Sequence, residues 1–269
     1  MKTKSDKSRL RLLPDLLLAA GMPLLAQDTA PTTAQPAPPA MVPAQRISAE
    51  AQAVMDRMTT TLQGLTSYAI EARGSRDEVV AYGYKLQYNE SATLTVQRPN
   101  RLRAEVRGDL RNRTFVYDGK SLAMYSPEDA AHVRLDAPDT LARLIGGLLD
   151  AGVELPLIDV LYQGTAGTLT EGVRTGILVG ESSIDGVACD HLAFRQAAID
   201  WQLWVEKERA LPRKVLITTR YEVGEPQWQA TLDWNLAPTI DASTFVFQPP
   251  AGSTEVMFSD AATISGQAQ

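Results

Sequence analysis

The chain has 269 residues, a formal net charge of −6 and a single cysteine, Cys189. An acidic chain lacks the clustered basic face that nucleic-acid binding requires, so no nucleic-acid partner is expected. One cysteine cannot form an intrachain disulfide. The fold must therefore be held together by its own core.

Residues 1–26 have the composition of an export signal peptide. Basic residues precede an apolar run from Leu16 to Ala26, and a signal-peptidase cut before Gln27 fits this pattern. A disordered basic tail is the alternative interpretation. Cleavage would remove five basic and two acidic groups and move the charge from −6 to −9. No other segment has the roughly 18–20 apolar residues that span a bilayer, so a periplasmic protein without a membrane span is expected.

The rest of the chain divides into three parts by composition. Residues 27–46 are rich in Pro and Ala and are predicted to form a flexible leader, because they have too little apolar surface to offset ordering. Residues 47–258 are sufficient for one domain with a substantial core. Residues 259–269 are predicted to be a disordered tail.

The first predicted element is an amphipathic helix. Ser48 is a favourable N-cap, apolar residues recur at helical spacing from Ala51 to Leu65, and Gly64 marks the end. After Gly64 the apolar residues alternate with polar ones, as in half-buried strands. Predicted strands in this half lie around 68–72, 78–90, 94–96, 102–106, 114–118 and 121–125, with a hairpin turn at Asp118-Gly119-Lys120.

A helical segment interrupts the strands. Pro138 suits the first position of a helix, and a stripe of apolar residues follows as far as Leu149, with a shorter apolar turn at Pro156–Tyr162. The pair Gly146-Gly147 weakens this helix by about 1 kcal/mol per residue. The pair indicates either a weakly packed helix or a functional hinge.

Strands return in the second half, with a turn at Ile184-Asp185-Gly186, alternation through Trp201–Val205, and a last strand at Phe245–Phe247. Consecutive strands joined by tight turns favour an antiparallel sheet. The predicted fold class is α+β. A large curved antiparallel half-barrel of about 10–11 strands would wrap around the N-terminal helix and the inserted helical cover.

Several short motifs match one known architecture. They are Val96-Gln97-Arg98-Pro99-Asn100, then Asp118-Gly119-Lys120-Ser121-Leu122, Tyr125-Ser126-Pro127 and the stretch from Phe245 to Gly252. In this order they resemble the periplasmic lipoprotein-carrier (LolA/LolB-like) superfamily. A closer resemblance, to an uncharacterised family of predicted periplasmic proteins within it, rests on Ile184–Leu192, Trp201–Val205, Leu211–Lys214 and Trp234–Pro238.

The resemblance implies a soluble periplasmic carrier whose concave sheet holds an acyl chain, a lipid or a lipoprotein. No cofactor, metal or catalytic residue is implied. Ordinary core packing is the alternative role for each apolar candidate. The predicted ligand-binding residues are Leu94, Val96, Arg98, Leu102, Val106, Trp201, Leu203, Trp228, Leu232 and Trp234.

Arg98 has a more specific predicted role. In the carriers the arginine of this motif faces inward and holds the helical cover closed, so Arg98 would latch the Pro138–Tyr162 cover, for which a forked guanidinium is suited. A surface arginine at a strand end is the alternative. The basic stretch Arg101–Arg113 would meet a lipid headgroup or an acidic partner, or is simply a solvated strand face.

Two other classes of function, an enzyme and an interaction module, compare with the carrier as follows from the sequence. An enzyme would need a nucleophile and base, and the sequence offers only Cys189 with His191 nearby, so no enzyme is predicted. A cell-envelope interaction module, which binds a membrane-protein partner through an outward-facing Trp204 and the basic stretch, is the alternative to a carrier. A contiguous exposed apolar patch without an internal cavity would favour that module.

Overall fold

The computed structural model describes residues 46–153, 155–165 and 167–257. The predicted signal peptide, most of the leader and the tail lie outside these residues. The helices are α1 (Ala49–Gly64), α2 (Leu141–Asp150) and α3 (Ile158–Thr165). The strands are β1 (Arg46–Ile47), β2 (Ser67–Val79), β3 (Lys85–Gln97), β4 (Arg101–Gly108), β5 (Arg113–Tyr117), β6 (Ser121–Ser126), β7 (Ala131–Asp136), β8 (Thr175–Ile184), β9 (Val187–Arg195), β10 (Ile199–Glu206), β11 (Pro212–Thr219), β12 (Gln227–Asn235) and β13 (Thr254–Glu255).

All thirteen strands form one sheet, in the order β1-β8-β9-β10-β11-β12-β2-β3-β4-β5-β6-β7-β13. Two antiparallel meanders, β2–β7 and β8–β12, join where β12 pairs with β2. Among the strands described, the two-residue strands β1 and β13 at the edges are the ones that pair in parallel. The predicted α+β class and open antiparallel sheet are confirmed. The strand number exceeds 10–11 by these two edge strands, which are too short to show an alternating pattern.

Helix α1 forms where the sequence predicts it. The Ser48 side chain accepts a hydrogen bond from the backbone N–H of Ala51, which satisfies one of the unpaired donors of the first turn. Its buried side chains, such as Met55, Met58 and Leu62, join the main core against the inner face of the sheet. The same cluster includes Leu94 and Leu232 from that face.

The helical insertion between β7 and β8 is also present, with a different start. Helix α2 begins at Leu141 and is capped by Thr140, whose side chain accepts from the N–H of Arg143, so Pro138 is not its first residue. The helix runs through Gly146 and Gly147 without interruption. It therefore packs its apolar stripe as one element.

Two strand predictions were wrong. The strands predicted around 68–72, 78–90 and 94–96 are two longer strands, β2 and β3, with their turn at 80–84. Gly74 lies within β2, and a Cβ there would lie 2.4 Å from the carbonyl oxygen of Gln229, so the glycine permits close strand packing. Phe245–Phe247 is not a strand. Phe245 is buried within a series of turns, and its segment buries apolar rings without pairing in the sheet.

Candidate functional site

A cavity of about 280 Å³ lies between the inner face of the sheet and the α2–α3 connection. Its floor consists of small residues from three neighbouring strands: Ala72 and Gly74 on β2, Ala92 on β3 and Ala230 on β12. Aliphatic residues of the α2–α3 connection form its roof, and we call residues 151–153 and 155–158 the roof segment. The volume is near the lower end of the roughly 300–1,000 Å³ of small-molecule pockets.

The cavity exists because the sheet register brings small residues together. Ala72 lies opposite Ala92, and Gly74 lies opposite Ala230, on the same inner face. Towards the start of β2 the inner face carries large residues instead, with Ile70 opposite both Leu94 and Trp234. Large side chains fill the space under α1, and the small ones leave space farther along the strands.

The structure places two of the ten predicted binding residues, Val106 and Trp228, on the cavity wall. A contact between either one and a ligand stays a prediction. The other apolar candidates are buried in the core and do not line the cavity. They are Leu94, Val96, Leu102, Trp201, Leu203, Leu232 and Trp234.

Packing contacts account for two of these tryptophans. Trp201 stacks on Phe194 with ring centroids 4.0 Å apart, and Trp234 donates its indole N–H to the carbonyl oxygen of Pro212 at 2.8 Å. Their positions are those of ordinary core residues.

Arg98 connects the C-terminal ends of two helices. Its guanidinium donates to the carbonyl oxygens of Leu62 at 3.0 Å and Gln63 at 3.1 Å in α1, and of Gly164 at 2.7 Å in α3. Last-turn carbonyls have no partner within their own helix, and a cation there also complements the helix dipole. The Gly164 contact lies two residues beyond the predicted cover. The contact with α1 was not foreseen.

The neighbouring residue Gln163 reinforces this junction. Its buried side chain donates to the hydroxyl of Thr59 in α1 and accepts from the backbone N–H of Leu169. At the other end of the insertion, Tyr117 donates its hydroxyl to the carbonyl oxygen of Pro138 at 2.5 Å. The insertion is therefore anchored on both sides of the roof segment.

One end of the cavity is polar. Arg76, Arg111 and Arg113 line it together with Glu90, which accepts the indole N–H of Trp228 at 2.7 Å. Desolvation lowers the pKa of Arg111, and the positive charges of Arg76 and Arg113 lower it further. Two arginines of the basic stretch, Arg111 and Arg113, therefore line the cavity.

The other arginines of that stretch lie elsewhere. Arg103 and Arg107 both pair with Glu105, at 2.7 and 3.2 Å, which is the arrangement of a partly solvated strand face. Trp204 was predicted to face outward and to contact a partner, and it lies outside the main core cluster. Only 8% of it is exposed, because it stacks on His191 and lies beneath the ammonium group of Lys214.

Cys189 has the surroundings of a buried structural thiol. Desolvation is the main cause that raises its pKa, whereas a nucleophilic cysteine needs a lowered one. His191 bonds Gln202 at 2.9 Å. Within the described parts of the chain there is no cluster of three or more His, Cys, Asp or Glu that could hold a metal ion.

The floor residues were missed because the sequence interpretation favoured large apolar side chains. A usable signal was present: Ala72 and Gly74 alternate along one strand, and Ala92 and Ala230 occupy inward positions on others. Small residues at successive inward positions indicate space, whereas large ones indicate packing.

No helix in the described ranges is long and apolar enough to cross a membrane.

Among solved structures, the chain is similar to the LprF protein of Mycobacterium bovis, with 13% identity, a TM-score of 0.46, and 72% of this chain and 97% of that one covered. The lipoprotein LppX of Mycobacterium tuberculosis has 16% identity and a TM-score of 0.45, with 71% of this chain and 98% of that one covered. A LolA superfamily protein of Nitrosomonas europaea has 12% identity and a TM-score of 0.32, with 73% of this chain and 97% of that one covered. No curated protein matches the chain.

The family comparison is more extensive and includes every element that bounds the cavity. The model of the family described as "Predicted periplasmic protein (DUF2092)" matches residues 51–259, from the first turn of α1 to beyond β13. The chain therefore belongs to this family of periplasmic proteins.

Proposed function

We propose that the protein is a periplasmic carrier that binds one acyl chain, or a hydrophobic ligand of similar size, in the cavity beneath the roof segment. The observation that carries this proposal is a largely apolar cavity of about 280 Å³ between the sheet and the helical insertion. Each buried methylene contributes about 0.8 kcal/mol. Burial of about twelve methylenes would therefore contribute about 10 kcal/mol, which offsets the cost of ordering and immobilising the chain.

We infer that a ligand enters by movement of the cover, and the roof segment is suited to that movement. Its backbone hydrogen bonds are local: Val153 donates to Leu148, and Leu155 donates to Val153. Leu157 has a φ of 55°, a conformation that costs a residue other than glycine about 1 kcal/mol or more. The anchors at Pro138 and Gly164 can hold while the segment between them shifts.

The test fills the cavity. Ala92→Leu adds three carbons to the floor, and uptake of the polyene fatty acid cis-parinaric acid should fall about tenfold or more because the space is occupied. The matched control is Thr93→Leu, an exposed residue on the opposite face of the same strand, which should bind as the wild type does.

Thermal melting of both variants checks that they fold. The proposal is wrong if delipidated wild-type protein takes up no probe. It is equally wrong if Ala92→Leu binds the probe as well as Thr93→Leu does.

A further inference from the structure

Among the described residues, the polar end of the cavity carries more positive than negative side chains. Three arginines, Arg76, Arg111 and Arg113, lie on its wall against two carboxylates, Glu90 and Asp159. The whole chain is acidic, with a formal charge of −6, so this local excess is contrary to the general balance.

The described acids near this end, Glu78, Glu90 and Glu128, each contact a neighbouring side chain. Glu90 accepts the Trp228 indole N–H at 2.7 Å, and Glu78 approaches the Nε of Arg76 no closer than 3.9 Å. Glu128 binds Arg113 at 3.2 Å and also accepts from Asn112. Arg113 thus has a short ion pair, and the ion pair of Arg76 is long.

The strand register places the cations beside the apolar floor. Arg76 follows Gly74 at the next inward position of β2, and it pairs with Trp228 across the sheet. Arg113 lies opposite Val106, which lies opposite the floor residue Ala92. One cavity thus joins an apolar compartment to a cationic end.

Two of the groups around this end have shifted protonation equilibria. The pKa of Arg111 is lowered by desolvation and then by Arg76 and Arg113, and Glu90 and Glu78 oppose this only in part. On the roof side, loss of water around its carboxyl raises the pKa of Asp159, which weakens its tendency to carry a negative charge. An anion bound beside Arg111 would oppose the lowering of its pKa by the neighbouring arginines.

We propose that the ligand is an anionic amphiphile, a single acyl chain with a carboxylate or phosphate headgroup that binds Arg76 and Arg111. This inference rests on the carrier function proposed above. The guanidinium groups would form charge-assisted, bidentate hydrogen bonds with the headgroup, and the chain would lie over Ala72 and Ala92. Desolvation at this end strengthens the attraction relative to a surface site.

The experiment compares ligands that differ only in the headgroup. Dodecanoate, dodecyl phosphate and dodecanol are titrated calorimetrically into delipidated protein, with acetate and inorganic phosphate as anions without a chain. Wild-type protein should bind both anionic amphiphiles about tenfold or more tightly than dodecanol. In Arg111→Gln this preference should be lost while dodecanol affinity stays unchanged.

Arg107→Gln is the matched control, because Arg107 is a nearby arginine that pairs with Glu105 and does not line the cavity. Arg76→Gln is a second variant in case Arg111→Gln does not fold. Equal wild-type affinity for all three amphiphiles, or an equal loss in Arg107→Gln, would overturn the inference and leave the carrier function intact. Chain-free anions that bind as tightly as dodecanoate would also overturn it. If no amphiphile binds the wild type, the carrier function itself fails.

Discussion

Tyr117 shows how a single residue couples the sheet to the helical insertion. Its side chain is fully buried, and its hydroxyl donates to the carbonyl oxygen of Pro138, just before α2. Desolvation raises its pKa to about 12, and the negative charges of Asp139 and Asp118 add to the shift. The phenol therefore stays protonated in the folded protein at a pH at which the unfolded chain loses this proton.

This difference predicts a pH dependence of stability. Between pH 10 and 12 the folded state holds more protons than the unfolded state, so the free energy of unfolding falls as the pH rises. From pH 9 to 11 the contribution of Tyr117 should decrease by about 1 kcal/mol. Urea denaturation of wild-type protein and Tyr117→Phe at both pH values measures this decrease. The difference in free energy of unfolding between the two proteins should be smaller at pH 11 than at pH 9. Parallel pH profiles of the two proteins would contradict the prediction.

At the scale of elements, Arg98 holds α1 and α3 together through their last-turn carbonyls. Arg98→Lys keeps the charge and loses the fork that reaches Leu62, Gln63 and Gly164 at once. The free energy of unfolding should fall by about 2–4 kcal/mol, since hydrogen bonds from a charged group contribute about 1.5–3 kcal/mol each and lysine retains part of this.

The matched control for Arg98→Lys is Arg101→Lys, at an exposed position three residues later. It should change stability by no more than about 0.5 kcal/mol. Urea denaturation of both variants is the measurement. Similar losses in the two would mean that the junction of the helices does not depend on Arg98.

Helix α2 allows a second prediction at this scale. A Cβ added at Gly146 or Gly147 would meet no heavy atom within 4 Å, so neither glycine is required by packing. Each change to alanine should raise the free energy of unfolding by about 0.8–1 kcal/mol. Gly74→Ala is the contrasting control, because its Cβ would lie 2.4 Å from the Gln229 oxygen and should destabilise the protein.

The same glycine variants decide between the weak helix and the hinge. We expect the uptake rate of cis-parinaric acid to be unchanged, because the movement proposed for ligand entry lies in the roof segment, beyond α2. A slower uptake in Gly146→Ala or Gly147→Ala, measured by stopped-flow fluorescence, would instead identify the glycine pair as the hinge.

At the scale of the whole molecule, local patterns predicted the elements better than the cavity. Alternation along β12 and the Ser48 cap of α1 depend on neighbouring residues, so the sequence displays them directly. The floor depends on Ala72, Ala92 and Ala230 meeting across three strands, and that register follows from the pairing of β2 with both β3 and β12. Single-strand patterns contain no information on such pairings.

The lateral boundaries of the open sheet have a consequence for association between molecules. Within the part of the chain that the structure describes, β1 pairs with Thr175 and Gly176 of β8, and β13 pairs with Ala131 and His132 of β7. An exposed strand edge can pair with another chain, and a bulge between Leu178 and Gly180 interrupts the uncovered part of β8. Both covering strands are short and come from segments distant in sequence, so they can detach while the rest of the sheet persists. Partial detachment would leave a folded molecule with an open edge, and aggregation through that edge would precede global unfolding.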